Sequence, residues 1–144
     1  MGSFFARELR VEWGQCDPAG IVFAPRFFDM FSENAVQIFE AAGLPAKRDL
    51  LAETGAAGIP LVSLTAQFHR PVTYGNIISV ESARPVLGTS SMKLEHRIMC
   101  AGQLCISASE TRVWVASNEA GDIRPAVIPE FIKAAFEVAS GDMN

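Results

Sequence analysis

Apolar residues recur every three or four positions over residues 25–42. At 100° per residue they fall within an arc of about 120°, and acidic and amide side chains occupy the opposite arc. Pro25 suits the first turn of a helix, whereas Gly43 followed by Pro45 is typical of a helix end. The apolar positions are Phe27, Phe28, Phe31, Ala35, Ile38, Phe39 and Ala42. The pattern therefore predicts a long helix that buries one face.

Most other periodic segments alternate with a period of two, which is typical of strands with one face in a core. They cover residues 8–13, 62–68, 78–81, 92–100 and 104–113. Ala101 and Gly102 predict a hairpin turn, and a change of phase between Ala108 and Val113 predicts a β-bulge. Shorter helices are expected over residues 47–53 and after Pro129. This succession predicts an α+β fold, with the long helix packed against an antiparallel sheet of about five strands.

Length and composition limit the function classes. A chain of 144 residues with 49% hydrophobic and 19% charged residues is expected to form a single globular domain, residues 1–144. Its net charge of −4 argues against nucleic acid as a partner. No apolar run reaches the roughly 18 residues of a membrane span, so no membrane partner is expected. The start MGSFFARELR and three cysteines without a CxxC pair favour a reducing, cytoplasmic location.

Asp17 is the leading candidate for chemistry. It is the only ionisable residue between Glu12 and Arg26 other than Cys16, and it precedes the long helix by one short loop. One interpretation is an Asx turn ahead of a proline. The other is a catalytic carboxylate beside a helix N-terminus, where the backbone N–H groups of Phe23 and Ala24 could stabilise an oxyanion. An ionised aspartate favours nucleophilic attack, although general-base activation of water stays open.

Other residues give weaker signals. Cys16 has no histidine close in sequence to form a thiolate, so a small buried thiol is expected. His69 and His96 lack ligand-type neighbours, and no metal site is predicted. Glu33 lies on the polar arc of the helix, where it could face solvent, a subunit interface or an active site. Basic residues that could bind phosphates after folding are scattered over the part of the chain predicted to form strands: Arg70, Arg84, Lys93, Arg97, Arg112 and Arg124.

Residues 14–25 read GQCDPAGIVFAP. This string resembles the active-site motif of the 4-hydroxybenzoyl-CoA thioesterases, a family with the hotdog fold. Supporting similarity extends through residues 43–45, 58–63 and 112–115. The resemblance implies a long central helix wrapped by a curved antiparallel sheet. It also implies homodimers or homotetramers with active sites at subunit interfaces, and no cofactor, since coenzyme A is part of the substrate.

The resemblance also implies residue roles. Asp17 becomes the catalytic carboxylate, and the N–H groups of Phe23 and Ala24 polarise the thioester carbonyl. Substrate contacts are expected from the motif, from the helix region where family members bind a para-hydroxyl group, and from a position where threonine is common. These residues are Cys16, Pro25, Ser32, Glu33 and Ile59. The family's basic cluster is missing from residues 87–91, so substitutes for the contacts with coenzyme A are expected among Arg70, Lys93, Arg97 and Arg124.

The resulting hypothesis is hydrolysis of an acyl-CoA thioester with an aromatic acyl group such as benzoyl or hydroxybenzoyl. A thioesterase for short aliphatic acyl-CoA or for acyl-carrier protein is the alternative within the enzyme class. A hotdog module that binds acyl-CoA without turning it over is the alternative outside it.

Overall fold

The computed structural model describes residues 3–142, with side chains as far as Val138. Its helices are α1 (Pro25–Ala41), α2 (Lys47–Thr54) and α3 (Glu130–Asp142), with one turn of 3-10 helix at Trp13–Gln15. The strands are β1 (Phe5–Arg10), β2 (Leu61–Phe68), β3 (Ile77–Ser82), β4 (Val86–Leu87), β5 (Ser91–Cys100), β6 (Gln103–Val113), β7 (Val115–Ser117) and β8 (Ile123–Pro125). That residues 1–144 form one domain stays a prediction, and residues 1, 2, 143 and 144 lie outside the described residues.

The main sheet is antiparallel, with strand order β1-β3-β5-β6-β2 and β4 paired to β5. Helix α1 packs against one face of this sheet, and β7 and β8 form a small separate ladder. The predicted α+β architecture is therefore confirmed, with five strands on the main path and β4 beside them. No helix within residues 3–142 is both long and apolar enough to cross a membrane.

Helix α1 follows the predicted pattern, because its apolar stripe provides the contact with the sheet. Its buried residues are Phe27, Met30, Phe31, Asn34, Ala35, Ile38 and Phe39. The helix ends as predicted at Gly43, whose φ of 82° is a left-handed conformation that suits glycine. Phe28 is only partly buried, whereas Asn34 is fully buried. The buried face of α1 is therefore rotated slightly from the predicted one and includes a polar residue.

Two expectations about the strands are wrong. Strand β1 ends at Arg10, and Trp13 lies in the 3-10 helix with 59% of its surface exposed. The phase of β6 does not change between Ala108 and Val113, because Glu110 and Arg112 continue the inward series as a buried pair. Because these two residues are charged, the sequence pattern predicts that their positions face solvent. The irregularity in β6 lies instead opposite Ile98 and Met99.

The hairpin between β5 and β6 is confirmed. Ala101 and Gly102 both have positive φ, at 51° and 76°. Two positive φ values in succession match the right-handed twist of paired strands, which is why this turn connects them tightly.

Candidate active site

A short loop holds Asp17 just ahead of α1. Cys16 and Val22 form an isolated antiparallel bridge, and the backbone N–H of Asp17 donates to the carbonyl of Ile21 at 2.9 Å. The N–H of Gly20 donates to the carbonyl of Asp17, and its φ of 80° closes the turn. The loop is therefore fixed by backbone hydrogen bonds at both ends, which gives the Asp17 side chain a defined direction.

The carboxylate of Asp17 is partly anchored. Its Oδ1 accepts a 2.8 Å hydrogen bond from the backbone N–H of Ala19, which is an Asx turn. Its Oδ2 has no donor among the described residues, and the side chain is half-buried. The two interpretations of Asp17 are thus compatible, because one oxygen holds the turn while the other is available for chemistry.

The start of α1 offers one backbone donor rather than two. The N–H of Phe23 donates to the carbonyl of Gln15 at 2.9 Å, so its predicted part in an oxyanion site is not supported by this geometry. The N–H groups of Arg26 and Phe27 are also used, by the carbonyls of Phe23 and Ala24. Pro25 has no N–H. Within the described residues, the N–H of Ala24 is left without an acceptor at the positive end of the helix dipole.

A cleft of about 290 Å³ opens beside this donor. Its apolar wall includes Phe27 and Phe68, whose ring centroids are 6.1 Å apart. Its polar groups are His69 and Arg70, and the His69 Nε2 lies 3.0 Å from the hydroxyl of Ser107. The complete lining is Ile21, Val22, Ala24, Phe27, Phe68, His69, Arg70, Pro71 and Val72. Sequence analysis assigned His69 no part in a site, and its position just after β2 is what brings it to the cleft.

Within one chain, the structure does not bring together all the other residues that were predicted to contact the substrate. The Cys16 thiol faces the carbonyl of Glu12 at 3.6 Å, and Pro25 is exposed at the start of α1. Ser32 and Glu33 are exposed further along the helix, where Glu33 accepts a hydrogen bond from Gln37 at 3.2 Å. Ile59 is buried in a core cluster with Phe39 and Trp114, separate from the cluster that contains Val22 and Phe27.

The four residues expected to contact coenzyme A lie on different parts of the fold. Arg70 lies in the cleft. Lys93 is exposed on β5. Arg97 donates to Glu81 at 2.7 Å, and Arg124 approaches Asp122 to 3.7 Å. Two of the four arginine and lysine side chains are thus occupied by carboxylates.

A buried polar network between α1 and the sheet was not predicted. Arg7 on β1 donates to the Asn34 side-chain oxygen and, at 2.8 Å, to the carbonyl of Met30. The Asn34 amide donates to Ser82 Oγ at 2.9 Å, and Ser82 Oγ lies 2.7 Å from His96 Nδ1. The ring of His96 stacks on Phe31 with centroids 5.0 Å apart.

The same network continues to β6. His96 Nε2 approaches Glu110 Oε1 to 3.4 Å, an ion-pair distance outside hydrogen-bond geometry. Arg112 donates to the same oxygen at 2.9 Å and to the carbonyl of Ile59 at 3.2 Å. Burial by itself raises the pKa of Glu110, but the neighbouring His96 and Arg112 outweigh it and hold this pKa below its ordinary value.

The direction of the hydrogen bonds fixes the orientation of the Asn34 amide. Arg7 can only donate, so the Asn34 oxygen accepts and its amide nitrogen donates to Ser82. Ser82 Oγ, which accepts from Asn34, also lies within hydrogen-bond distance of His96 Nδ1, and His96 Nε2 faces Glu110. Asn34 and Ser82 thus couple the helix to three strands.

Across residues 3–142, no group of three or more histidine, cysteine, aspartate or glutamate side chains lies close enough to hold a metal ion.

Known proteins resemble this chain in sequence and structure. The sequence profile of the thioesterase-like superfamily matches residues 11–136. A 4-hydroxybenzoyl-CoA thioesterase from Pseudomonas sp. (strain CBS-3) is 29% identical over 134 residues, which cover 90% of this chain and 94% of that protein. The three-dimensional structure of the 4-hydroxybenzoyl-CoA thioesterase from that strain gives a TM-score of 0.82 at 26% identity, over 91% of this chain and 97% of that one.

Two further structures are similar. A D17N mutant of a 4-hydroxybenzoyl-CoA thioesterase, complexed with 4-hydroxybenzoyl-CoA, gives a TM-score of 0.82 at 27% identity over 91% of this chain and 96% of that one. A gentisyl-coenzyme A thioesterase gives a TM-score of 0.75 at 29% identity over 92% and 99%.

The fold and the match over most of the chain define the class: this chain belongs to the thioesterase-like superfamily. Its fold is the hotdog fold of the 4-hydroxybenzoyl-CoA thioesterases, so the resemblance read from residues 14–25 is confirmed.

Proposed function

We propose that this protein hydrolyses acyl-CoA thioesters and that Asp17 is its catalytic carboxylate. The observation that carries this proposal is the pairing of a half-anchored carboxylate with the unused Ala24 N–H at the start of α1. The carboxylate supplies an attacking oxygen, and the N–H supplies a donor for the carbonyl oxygen. Membership of the thioesterase-like superfamily supports the same chemistry.

In the proposed mechanism, Asp17 Oδ2 attacks the thioester carbonyl carbon while the Ala24 N–H stabilises the developing oxyanion. The carbon–sulfur bond breaks, coenzyme A leaves as a thiolate that takes a proton, and an acyl–aspartyl anhydride remains. Water then opens the anhydride, which releases the acid and restores the carboxylate. A single turnover in labelled water distinguishes Asp17 as a nucleophile from Asp17 as a general base. On the anhydride route the label enters Asp17 or the product acid. On the general-base route it enters only the product acid.

The acyl group is proposed to be aromatic and compact. The cleft beside Ala24 is walled by aromatic rings and has His69 and Arg70 as its polar groups, which suits a ring that carries polar substituents. The names of two relatives, 4-hydroxybenzoyl-CoA and gentisyl-coenzyme A thioesterase, refer to acyl groups of this kind. Ser32 and Glu33 are the proposed selectors of ring substituents.

A dimer is part of the proposal. Among the described residues, β2 is an edge strand paired on one side only, and it carries exposed apolar residues, of which Leu61 is 44% and Val62 60% exposed. A long apolar sheet edge of this kind favours pairing with another strand. Pairing two β2 strands would extend the sheet across both subunits. A cytoplasmic location stays a prediction.

A thiol-release assay tests the activity. Benzoyl-, hydroxybenzoyl-, phenylacetyl- and butyryl-CoA are compared by kcat/KM, with the Asp17→Asn variant as the control for background hydrolysis. Faster turnover of the aromatic thioesters is expected. Preference for butyryl-CoA would contradict the aromatic assignment, and binding of all four without turnover would contradict the enzyme assignment.

The proposed mechanism needs neither a metal nor an organic cofactor, because the carboxylate and the backbone donor belong to the chain. Dialysis against EDTA is therefore expected to leave kcat unchanged. A loss of activity that added zinc restores would contradict this part of the proposal.

A further inference from the structure

Cys100 and Cys105 lie on either side of the hairpin that joins β5 to β6. Cys100 is the last residue of β5 and is half-buried, whereas Cys105 is buried. Consecutive residues of β5 are paired with Ile106 and then with Leu104, so Cys105 is the extra residue of a β-bulge. Cys105 belongs to the core cluster that contains Ile106, and Cys100 packs against the same cluster. The two side chains are therefore on the same side of the sheet.

The backbone of Cys100 approaches the sulfur of Cys105. The N–H of Cys100 donates a hydrogen bond to this sulfur. The Cys105 thiol in turn donates to the carbonyl of Gln103 at 3.7 Å, and Gln103 is the residue paired with Cys100. The Cα atom that carries the Cys100 thiol is one bond from the donating nitrogen. A rotation of this side chain and a small movement of the bulge are thus enough to bring the two sulfur atoms together.

The two thiols differ in their readiness to react. Burial raises the pKa of the Cys105 thiol, and the neighbouring Cys100 raises it further, against the opposite effects of Arg70 and of the hydrogen bond from Cys100. Cys105 therefore forms a thiolate less readily than an ordinary cysteine. Cys100 is the more accessible of the two. Because peroxides react with accessible thiolates, Cys100 is expected to be oxidised first, with Cys105 as the resolving thiol.

The backbone of Cys105 supports one wall of the cleft beside Ala24. Its carbonyl oxygen accepts hydrogen bonds from the N–H of His69 at 2.7 Å and from the N–H of Arg70 at 3.1 Å. His69 and Arg70 supply the polar groups of this cleft. A movement of Cys105 towards Cys100 would therefore shift the common acceptor of both residues, and the wall of the cleft would move with it.

We propose that Cys100 and Cys105 form a reversible disulfide in the presence of a hydroperoxide, and that this bond changes the shape of the cleft. The Cys100 thiolate attacks one peroxide oxygen, the oxygen–oxygen bond breaks, and the other oxygen takes a proton and leaves as an alcohol or water. The Cys105 sulfur then loses its proton and attacks the sulfenic acid of Cys100, from which water leaves. Two thiols are thereby oxidised and one hydroperoxide is reduced. A dithiol such as dithiothreitol reverses the change.

Peptide mapping of the whole chain tests the disulfide. Trypsin cuts after Arg97 and Arg112, so both cysteines fall in one peptide, residues 98–112, and Cys16 falls in another. After treatment with hydrogen peroxide, this peptide is expected to lack two hydrogen atoms and to take up no alkylating reagent until dithiothreitol is added. An unchanged peptide, a sulfinic acid at Cys100, or a disulfide to Cys16 or to another chain would overturn the proposal.

Amide hydrogen exchange tests the coupling to the cleft. In the oxidised wild type, the N–H groups of His69 and Arg70 are expected to exchange about three- to tenfold faster, because their common acceptor has moved. Cys100→Ser keeps the Cys105 carbonyl but cannot form the disulfide, so peroxide should leave its exchange unchanged. Cys105→Ala is a second variant with the same expectation. Unchanged or slower exchange in the oxidised wild type would overturn the coupling.

The effect on turnover rests on the proposed thioesterase function. KM for benzoyl-CoA is expected to rise at least about threefold in the oxidised wild type and to return with dithiothreitol, because a displaced wall misplaces the substrate. Cys100→Ser should keep the same KM with and without peroxide. This variant retains Cys16, so an equal rise in KM there would assign the effect to Cys16 and overturn the proposal, as would an unchanged KM in the oxidised wild type.

Failure of the proposed function is distinguishable from failure of this inference. A wild type that turns over no thioester would contradict the function alone, because peptide mapping and hydrogen exchange need no substrate.

Discussion

In the proposed mechanism, Asp17 combines a structural and a chemical role in one carboxylate. Its Oδ1 closes the Asx turn with Ala19, and its Oδ2 has no donor among the described residues. The turn fixes the direction of the free oxygen, so the group needs no further support from a histidine. An asparagine at this position can keep the turn through its amide oxygen but has no charge to use in attack.

We therefore expect Asp17→Asn and Asp17→Ala to separate the two tasks. Asp17→Asn should leave the free energy of unfolding within about 0.5 kcal/mol of the wild type and lower kcat more than about a hundredfold. Asp17→Ala should lower kcat as much and also cost about 1 kcal/mol of stability, because the Ala19 N–H loses its partner. Urea unfolding and thiol release measure the two effects. Near-full activity of Asp17→Asn would contradict the catalytic role.

At the scale of an element, α1 is positioned by more than its apolar stripe. Asn34 lies in the middle of the buried face and links Arg7 on β1 with Val80 and Ser82 on β3. Apolar contacts allow a helix to slide or rotate by small steps, whereas these hydrogen bonds fix one rotation. That rotation determines which way Ser32 and Glu33 point.

Removal of the Asn34 amide is expected to be costly. Asn34→Ala removes one hydrogen-bond partner each from Arg7, Ser82 and the Val80 carbonyl in the core, and we expect a loss of about 2–4 kcal/mol in the free energy of unfolding. Glu40→Ala, on the exposed face of the same helix, is the control and should change it by less than about 0.5 kcal/mol. Chemical denaturation of both variants checks this, and equal effects would show that Asn34 has no special role.

At the scale of the whole molecule, the buried network extends across most of the sheet. It begins at Arg7 on the edge strand β1 and ends at Glu110 and Arg112 on β6, with His96 between them. The desolvation cost of burying an ion pair offsets much of the attraction between its charges. Removing one partner, however, leaves an uncompensated buried charge. The network therefore makes stability depend on the ionisation of Glu110.

The sign of this dependence follows from the lowered pKa of Glu110. A carboxyl group with a lowered pKa in the folded state contributes stability above its unfolded pKa, and that contribution disappears as the pH falls through the folded pKa. We expect Glu110→Gln to lower the free energy of unfolding by about 3–5 kcal/mol at pH 7. Below about pH 4, this free energy should fall less steeply with pH in the variant than in the wild type. Unfolding free energies measured from pH 7 to pH 3 test this. The exposed Glu53→Gln is the control and should follow the wild-type curve.

The quaternary prediction concerns β2. Val62→Asp places a charge on the exposed edge of the sheet, and we expect it to weaken the proposed dimer without unfolding the chain, since Val62 is 60% exposed. Val127→Asp is matched in exposure, at 68%, and is not part of β2. Sedimentation velocity should give a smaller species for the first variant only. A monomeric wild type would contradict the dimer.

The amino-acid sequence by itself determined the helix, most of the strands and the candidate carboxylate. These features are local: a 3.6-residue period, a period of two, Gly43 at a helix end, and a loop whose isolated Asp17 precedes a proline. The family resemblance came from the same loop. Its backbone turns and its candidate carboxylate are encoded within a few consecutive residues.

Only the tertiary structure decided how distant residues combine. It showed that Gln15 already uses the Phe23 N–H, that Glu110 and Arg112 face the core, and that the Cys105 carbonyl accepts from His69 and Arg70. Each of these facts depends on a partner that is remote in the chain or on which face of a strand turns inward. A charged residue gives the same signal in a sequence whether it meets water or a buried partner, so the difference appears only when the chain is folded.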